Sequence, residues 1–187
     1  MTTNLIEVKE SDQSVVGKEK PIHWKLYTSH HVENFEQVQQ IIEWYSWRWV
    51  IEQLFRAMKS RGLNILDAQV ESEHALKNLT ATALVSGVQI MQLVQARDGD
   101  NDLLISQVFS EQEHQILKKI NPSLEGNTEK LKNPHPPDSL AFASWIIARL
   151  GGWSGYKSQR PPGPITMANG LKRFREANFL SRIFSKQ

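Results

Sequence analysis

The stretch ENFEQVQQIIEWYSWRWVIEQLFRAMK, residues 33–59, contains neither glycine nor proline. Its Phe35, Val38, Ile42, Tyr45 and Trp49 recur at intervals of three and four, the spacing of one helix face. One long helix follows, ending near Gly62. At ~100° per residue, Tyr45, Arg48, Glu52, Arg56 and Lys59 share a stripe about 80° wide and ~21 Å long on that helix. The face is thus expected to be apolar for three turns, packing against the protein, and then to meet something charged.

Upstream, NLIEVK (4–9) and IHWKLYT (22–28) are short alternating runs on either side of the polar ESDQSVVGKEKP (10–21), which predicts an antiparallel hairpin. Downstream, residues 72–97 predict a second helix, apolar over much of its circumference and central to the core, in which Gly87 marks close packing. Shorter helices are expected at 102–109 and 111–120. The polar NPSLEGNTEKLKNPHPP (121–137) is the best internal boundary. Asp138 and Ser139 open a helix through Leu150 that Gly151 and Gly152 stop, and a last helix runs from Ile165 to Ile183. The fold class is mainly α with an N-terminal β-hairpin.

At 187 residues and 40% hydrophobic content the chain can bury one substantial core. It has no cysteine, which excludes disulfides, thiolate zinc sites and cysteine nucleophiles and fits a reducing cytoplasm. No apolar run approaches the ~18 to 20 residues that span a bilayer, and no signal peptide opens the chain, so no membrane is expected. Charge is uneven: from Arg149 to Gln187 eight basic residues face one acid, a net +7, while the remaining fourteen basic and nineteen acidic residues give −5. A basic tail suits an anionic partner such as nucleic acid, or is simply a solvated amphipathic helix.

Three cations and a phenol around one carboxylate suit a polyanion and a divalent metal. Arginine grips phosphate with a planar fork and lysine as a point charge, and magnesium or manganese binds carboxylate and phosphate oxygens together. The competing reading is structural: Arg48–Glu52 and Glu52–Arg56 are i,i+4 pairs of the kind solvated helices use.

The spacing Y-x2-R-x3-E-x6-K, read as Tyr45, Arg48, Glu52 and Lys59 within YSWRWVIEQLFRAMK, resembles the signature of the insertion-sequence-four (transposon-five-like) family of DDE transposases. KPIHWKLYTS upstream, and GLNILDAQV, ARLGGWSGYKS and PPGPITMANGLKRF downstream, agree with it, so the resemblance covers nearly the whole chain. It implies the end of an RNase H-like catalytic core over residues 1–66, followed by a helical C-terminal region over 67–187 with a possible boundary near 121–137. It implies Glu52 as the third catalytic carboxylate and a ligand of Mg2+ or Mn2+. Arg48 and Lys59 would bind phosphates of transposon-end DNA, and Tyr45 would hydrogen-bond near a nucleotide turned out of the duplex. Trp24 would stack on that base, and Arg56 is a softer phosphate contact. For Trp24 alone, a core tryptophan on a strand is the other reading. Residues 140–187 become the candidate partner surface, for a homodimer or a heterodimer with full-length transposase.

The chain departs from that family where the two partner aspartates belong. Only Asp12 precedes Glu52 in the required direction, and no strand frames it, so it is not assigned. The expectation is a C-terminal part of a cut-and-paste transposase, inactive alone, in a bacterial cytoplasm and nucleoid-associated when on DNA. The alternatives are a non-enzymatic DNA-binding or dimerising module that inhibits full-length transposase, and an inert remnant. His30, His31, Glu111, Glu113 and His114 lack convergent metal-site spacing and are expected at the surface or in capping roles.

Overall fold

The computed structural model describes residues 3–11, 21–59, 63, 65–156 and 158–184, without the side chains of Leu66, Leu180, Ser181, Arg182 and Phe184. Asp12, the connecting loop around it, Gly62, Lys157 and Lys186 lie outside the described residues. The chain divides into two compact units, Met1–Val50 and Ile51–Gln187. The division falls inside a helix, and residues 121–137 belong to the second unit.

The first unit is the expected hairpin with a helix against one of its faces. Strands β1 (Asn4–Lys9) and β2 (His23–Thr28) pair antiparallel, with Ile6 opposite Leu26 and Val8 opposite Trp24. Side chains alternate across a strand, so Ile6, Val8, Trp24 and Leu26 share one face. That face packs with Val38, Ile41, Ile42 and Tyr45 of helix α1 (Phe35–Lys59). The start of α1 is fixed locally. The Asn34 side-chain Oδ1 accepts the Gln37 amide at 2.9 Å, and the Gln37 side chain accepts the Glu33 amide at 2.7 Å, a reciprocal cap.

The expected packing stripe is only partly right. Phe35 is 71% and Trp49 52% exposed, while Ile41, outside the stripe, is buried. Strands of six residues cover about four turns of helix at most, so the contact is confined to the middle of this part of α1.

The second unit is helical. Beyond Val50, α1 buries Ala57 and Met58. Helix α2 (Glu73–Ala96) starts where Ser72 accepts the Ala75 amide at 3.2 Å. Gly87 is where α1 comes close: a Cβ there would lie 2.7 Å from Leu54 Cδ1 and 3.3 Å from Met58 Cγ. One face of α2 is buried from Ala83 onward, through Ile90, Met91, Leu93 and Ala96, whereas Leu76, Leu84, Val85 and Val88 are exposed. Contrary to the sequence reading, α2 is long and apolar enough to cross a bilayer by length and composition, with a window of mean hydropathy 1.3. Its buried face lies in the same core as α4, the arrangement of a core helix.

The helix expected at 102–109 is instead a 3-10 turn over Ile105–Gln107. The backbone before it is committed elsewhere: Ile105 N donates to Asp138 O at 3.0 Å and Leu140 N to Leu103 O at 2.7 Å. Helix α3 (Glu111–Leu124) opens with a Ser110/Glu113 capping box and continues past Pro122, beyond its expected end at 120. Side-chain bonds hold that last turn, with Asn121 Nδ2 donating to Glu125 and Asn133 Nδ2 to Asn121.

Helix α4 (Leu140–Leu150) is the central element, buried from Leu140 through Ala148. Ser139 caps its start and Gly151 closes it. Helix α5 (Pro164–Phe184) packs Met167, Ala168, Leu171 and Phe174 into the same core. The seam between the two is close: a Cβ on Gly170 would lie 1.8 Å from Ile147 O, and one on Gly151 2.1 Å from Thr166 O.

Candidate nucleic-acid interface

Trp24 and Tyr45, twenty-one residues apart in sequence, meet in the first unit. Their ring centroids are 5.1 Å apart at 66°, an edge-on contact, and both rings are half-buried. The hairpin register puts Trp24 on the helix-facing side, and Tyr45 follows Ile41 and Ile42 on the packed side of α1. Arg48, one turn on, is exposed and lies between two aromatics, its Cζ 5.4 Å from the Tyr45 centroid and 5.8 Å from that of Trp49. A guanidinium on an aromatic face keeps its donor edges directed outward. Trp49, expected only on the apolar packing stripe, is thus exposed beside Arg48.

Glu52, Arg56 and Lys59 are exposed on the part of α1 that belongs to the second unit. Ala57 and Met58 carry the burial of that turn, which turns Lys59 outward. Lys59 Nζ is 5.7 Å from the Phe55 ring centroid, a second cation on an aromatic that the sequence reading did not single out. On the hairpin surface Glu7 Oε1 lies 2.6 Å from His23 Nε2 and 3.8 Å from Lys25 Nζ. The His23 hydrogen bond, then the Lys25 charge, hold its carboxyl below the usual range.

A two-metal centre needs several carboxylates converging on ions ~3.5 to 4 Å apart. Among the described residues no group of three His, Asp or Glu side chains could hold a metal ion, and Glu52 brings one carboxylate. The described residues therefore do not make such a centre.

The basic C-terminal segment is partly occupied inside the fold. Arg149 donates from Nε and Nη2 to Leu124 O at 3.0 and 2.8 Å, and from Nη1 to Trp153 O. Arg173 Nη1 donates to Leu150 O at 2.6 Å, and Arg175 bonds Gln89. Leu124 and Leu150 are the last residues of α3 and α4, whose terminal carbonyls lack helical donors and carry partial negative charge. Arg149 and Arg173 thus cap helices. His114, expected at the surface or in a capping role, is buried, and its Nε2 lies 2.8 Å from Pro137 O.

Residues 7–86 match the family model of the transposase DDE domain. The matched stretch takes in most of the hairpin, all of α1 with Glu52, and the start of α2. It supports a DDE transposase and a role in DNA transposition, and is consistent with an RNase H-like core. Domains of this family are generally divalent-metal dependent, and transposases generally bind DNA ends.

Proposed function

We propose that the chain is the glutamate-bearing, C-terminal part of an insertion-sequence-four-like cut-and-paste transposase, and that α1 is its grip on transposon-end DNA. Arg48 and Lys59 hold backbone phosphates, with Arg56 beside them. Tyr45 bonds near a nucleotide turned out of the duplex, and Trp24 offers its ring to the extruded base. The observation that carries this reading is the aromatic group of Trp24, Tyr45 and Trp49 with Arg48 set among the rings. An extruded base loses its neighbours, and an aromatic surface returns ~1 to 3 kcal/mol of stacking. Glu52 supplies one carboxylate to a catalytic site that needs two aspartates from another polypeptide or segment. Leu140 through Ala148 are buried and so drop out of the expected partner surface at 140–187; the exposed side of α5, with Ile165, Phe179 and Ile183, is the part that remains for a homodimer or a heterodimer with full-length transposase. A cytoplasmic, nucleoid-associated location goes with this reading.

The test is an electrophoretic mobility shift with transposon-end duplexes, fully paired or with one unpaired base near the end, at two salt concentrations. Salt-sensitive binding that prefers the unpaired base is expected. Arg48→Ala should weaken binding to both duplexes, and Trp24→Phe should keep the preference that Trp24→Leu loses. Equal binding of both duplexes by wild type and Trp24→Leu would remove the base-stacking role. The role of Glu52 is tested by adding a separately supplied polypeptide that carries the two aspartates. If Glu52→Ala then nicks ends as well as wild type in magnesium, the catalytic assignment is wrong. The reading as a non-enzymatic inhibitory module uses the same cations, and DNA binding without complemented nicking would favour it.

A further inference from the structure

In the second unit, residues from 97–98, 129–135, 144–145 and 153–156 with 159–162 enclose a cleft of about 600 Å³. Its apolar walls are Trp145, Trp153, Tyr156 and three prolines, 134, 161 and 162. A smaller hollow of about 390 Å³ shares Trp153, Gln159, Pro161 and Pro162 with it and adds Arg160. The two hollows are therefore neighbours. Across both, the cations Arg97, Lys130, Lys132 and Arg160 outnumber the acids Asp98 and Glu129, a net +2.

These charges are not equivalent. Arg97 is tied to Asp98 at 3.1 Å and to Pro162 O at 3.1 Å, and Lys132 is paired with Glu129. Lys130 and Arg160 form no ion pair among the described residues, and both are exposed. The Trp153 indole N–H, buried in the cleft wall, has no acceptor among the described residues. His135, also in the wall, is half-buried, and burial lowers its pKa, so at neutral pH the ring offers one donor and one acceptor.

Flat aromatic walls suit a planar base, and unpaired rim cations suit a phosphate. The volume is that of a small-ligand site, which typically spans ~300 to 1,000 Å³. We propose that this cleft binds a nucleoside phosphate, its base against Tyr156 and Trp153 and its phosphate toward Lys130 and Arg160. The source is either a free nucleotide or the unpaired terminal nucleotide of a DNA strand. The cleft shares no residue with the stripe on α1, so this site and the DNA grip stand or fall separately.

The experiment is calorimetric titration of the whole chain with thymidine 5′-monophosphate, thymidine, inorganic phosphate and a short thymidine oligonucleotide. Binding of the monophosphate, the oligonucleotide or both, above that of thymidine and of phosphate, is expected. Tyr156→Ala should weaken it about fivefold or more, with Tyr156→Phe restoring it. Lys130→Glu should weaken it most at low salt. Binding of the oligonucleotide alone assigns the site to a strand end, and equal binding of the monophosphate assigns it to the free nucleotide. Tyr156 is 55% exposed, so these variants should keep the wild-type unfolding temperature. The proposal is overturned if neither ligand binds, if thymidine or phosphate binds as well as the monophosphate, or if folded Tyr156→Ala and Lys130→Glu bind like wild type.

Discussion

Replacing Gly170 by alanine tests the α4–α5 seam most directly. Gly170 has no positive φ among the described glycines, so alanine suits its backbone and only space is at issue. The new Cβ would lie 1.8 Å from Ile147 O, and real Cβ contacts essentially never fall below 3.0 Å, so α5 must retreat by about 1.2 Å or more. The obstacle is backbone in the middle of a buried helix, which cannot swing aside as a side chain could. A gap of that size forfeits roughly a quarter to a half of each dispersion contact it opens, each worth ~0.1 to 0.2 kcal/mol. Overpacking against backbone that cannot yield lies at or above the upper end of the usual range, ~3 to 4 kcal/mol. Alanine returns up to ~1 kcal/mol of helix propensity, leaving a net cost of ~2 to 3 kcal/mol. With a urea slope of about 2 kcal/mol/M, the midpoint followed by helical circular dichroism should fall by ~1 to 1.5 M. Gly163→Ala, where a Cβ meets nothing within 4 Å, is the control and should stay within ~0.5 M of wild type. A Gly170→Ala midpoint at or above wild type would refute the close crossing.

Two further outcomes follow from polar groups in the second unit. Ser144 is fully buried and donates to Leu93 O at 2.7 Å, so Ser144→Ala should cost ~1 to 2 kcal/mol, read as a lower urea midpoint. Burial lowers the His135 pKa from 6.5, so the unfolded chain binds the extra proton first. Stability should be full above that value and fall as pH drops through and below it, and His135→Gln should remove this part of the pH dependence of thermal unfolding.

Where the sequence could be read, the signals were local. Ser72 and Ser139 mark helix starts because a cap needs only the next three residues, and Gly151 closes a helix within its own turn. The hairpin was legible because alternation is a property of each strand. The misread pieces depended on distant partners. Leu103 and Ile105 take backbone bonds from the 138–140 segment, which stops a helix that periodicity alone allows. Asn121 and Asn133 hold a turn that Pro122 would otherwise be expected to end. The basic tail looked like a surface feature because composition cannot show that Arg149 and Arg173 face carbonyls at the ends of α3 and α4. The same limit applies to the sites: the α1 stripe follows from helix spacing, whereas the cleft draws on four stretches that have no common period.

The hairpin register also sets which genetic changes the protein can absorb. Trp24 and Leu26 face α1 while His23 and Lys25 face away, and Val8 and Ile6 must stay opposite them. Inserting or deleting one codon between Trp24 and Leu26 would leave one of these two side chains on the wrong face. Point substitutions at His23 or Lys25 would leave that alternation intact. Lineages of this sequence should therefore vary by substitution within β2 but keep its length, with Trp24 and Tyr45 inherited as a pair.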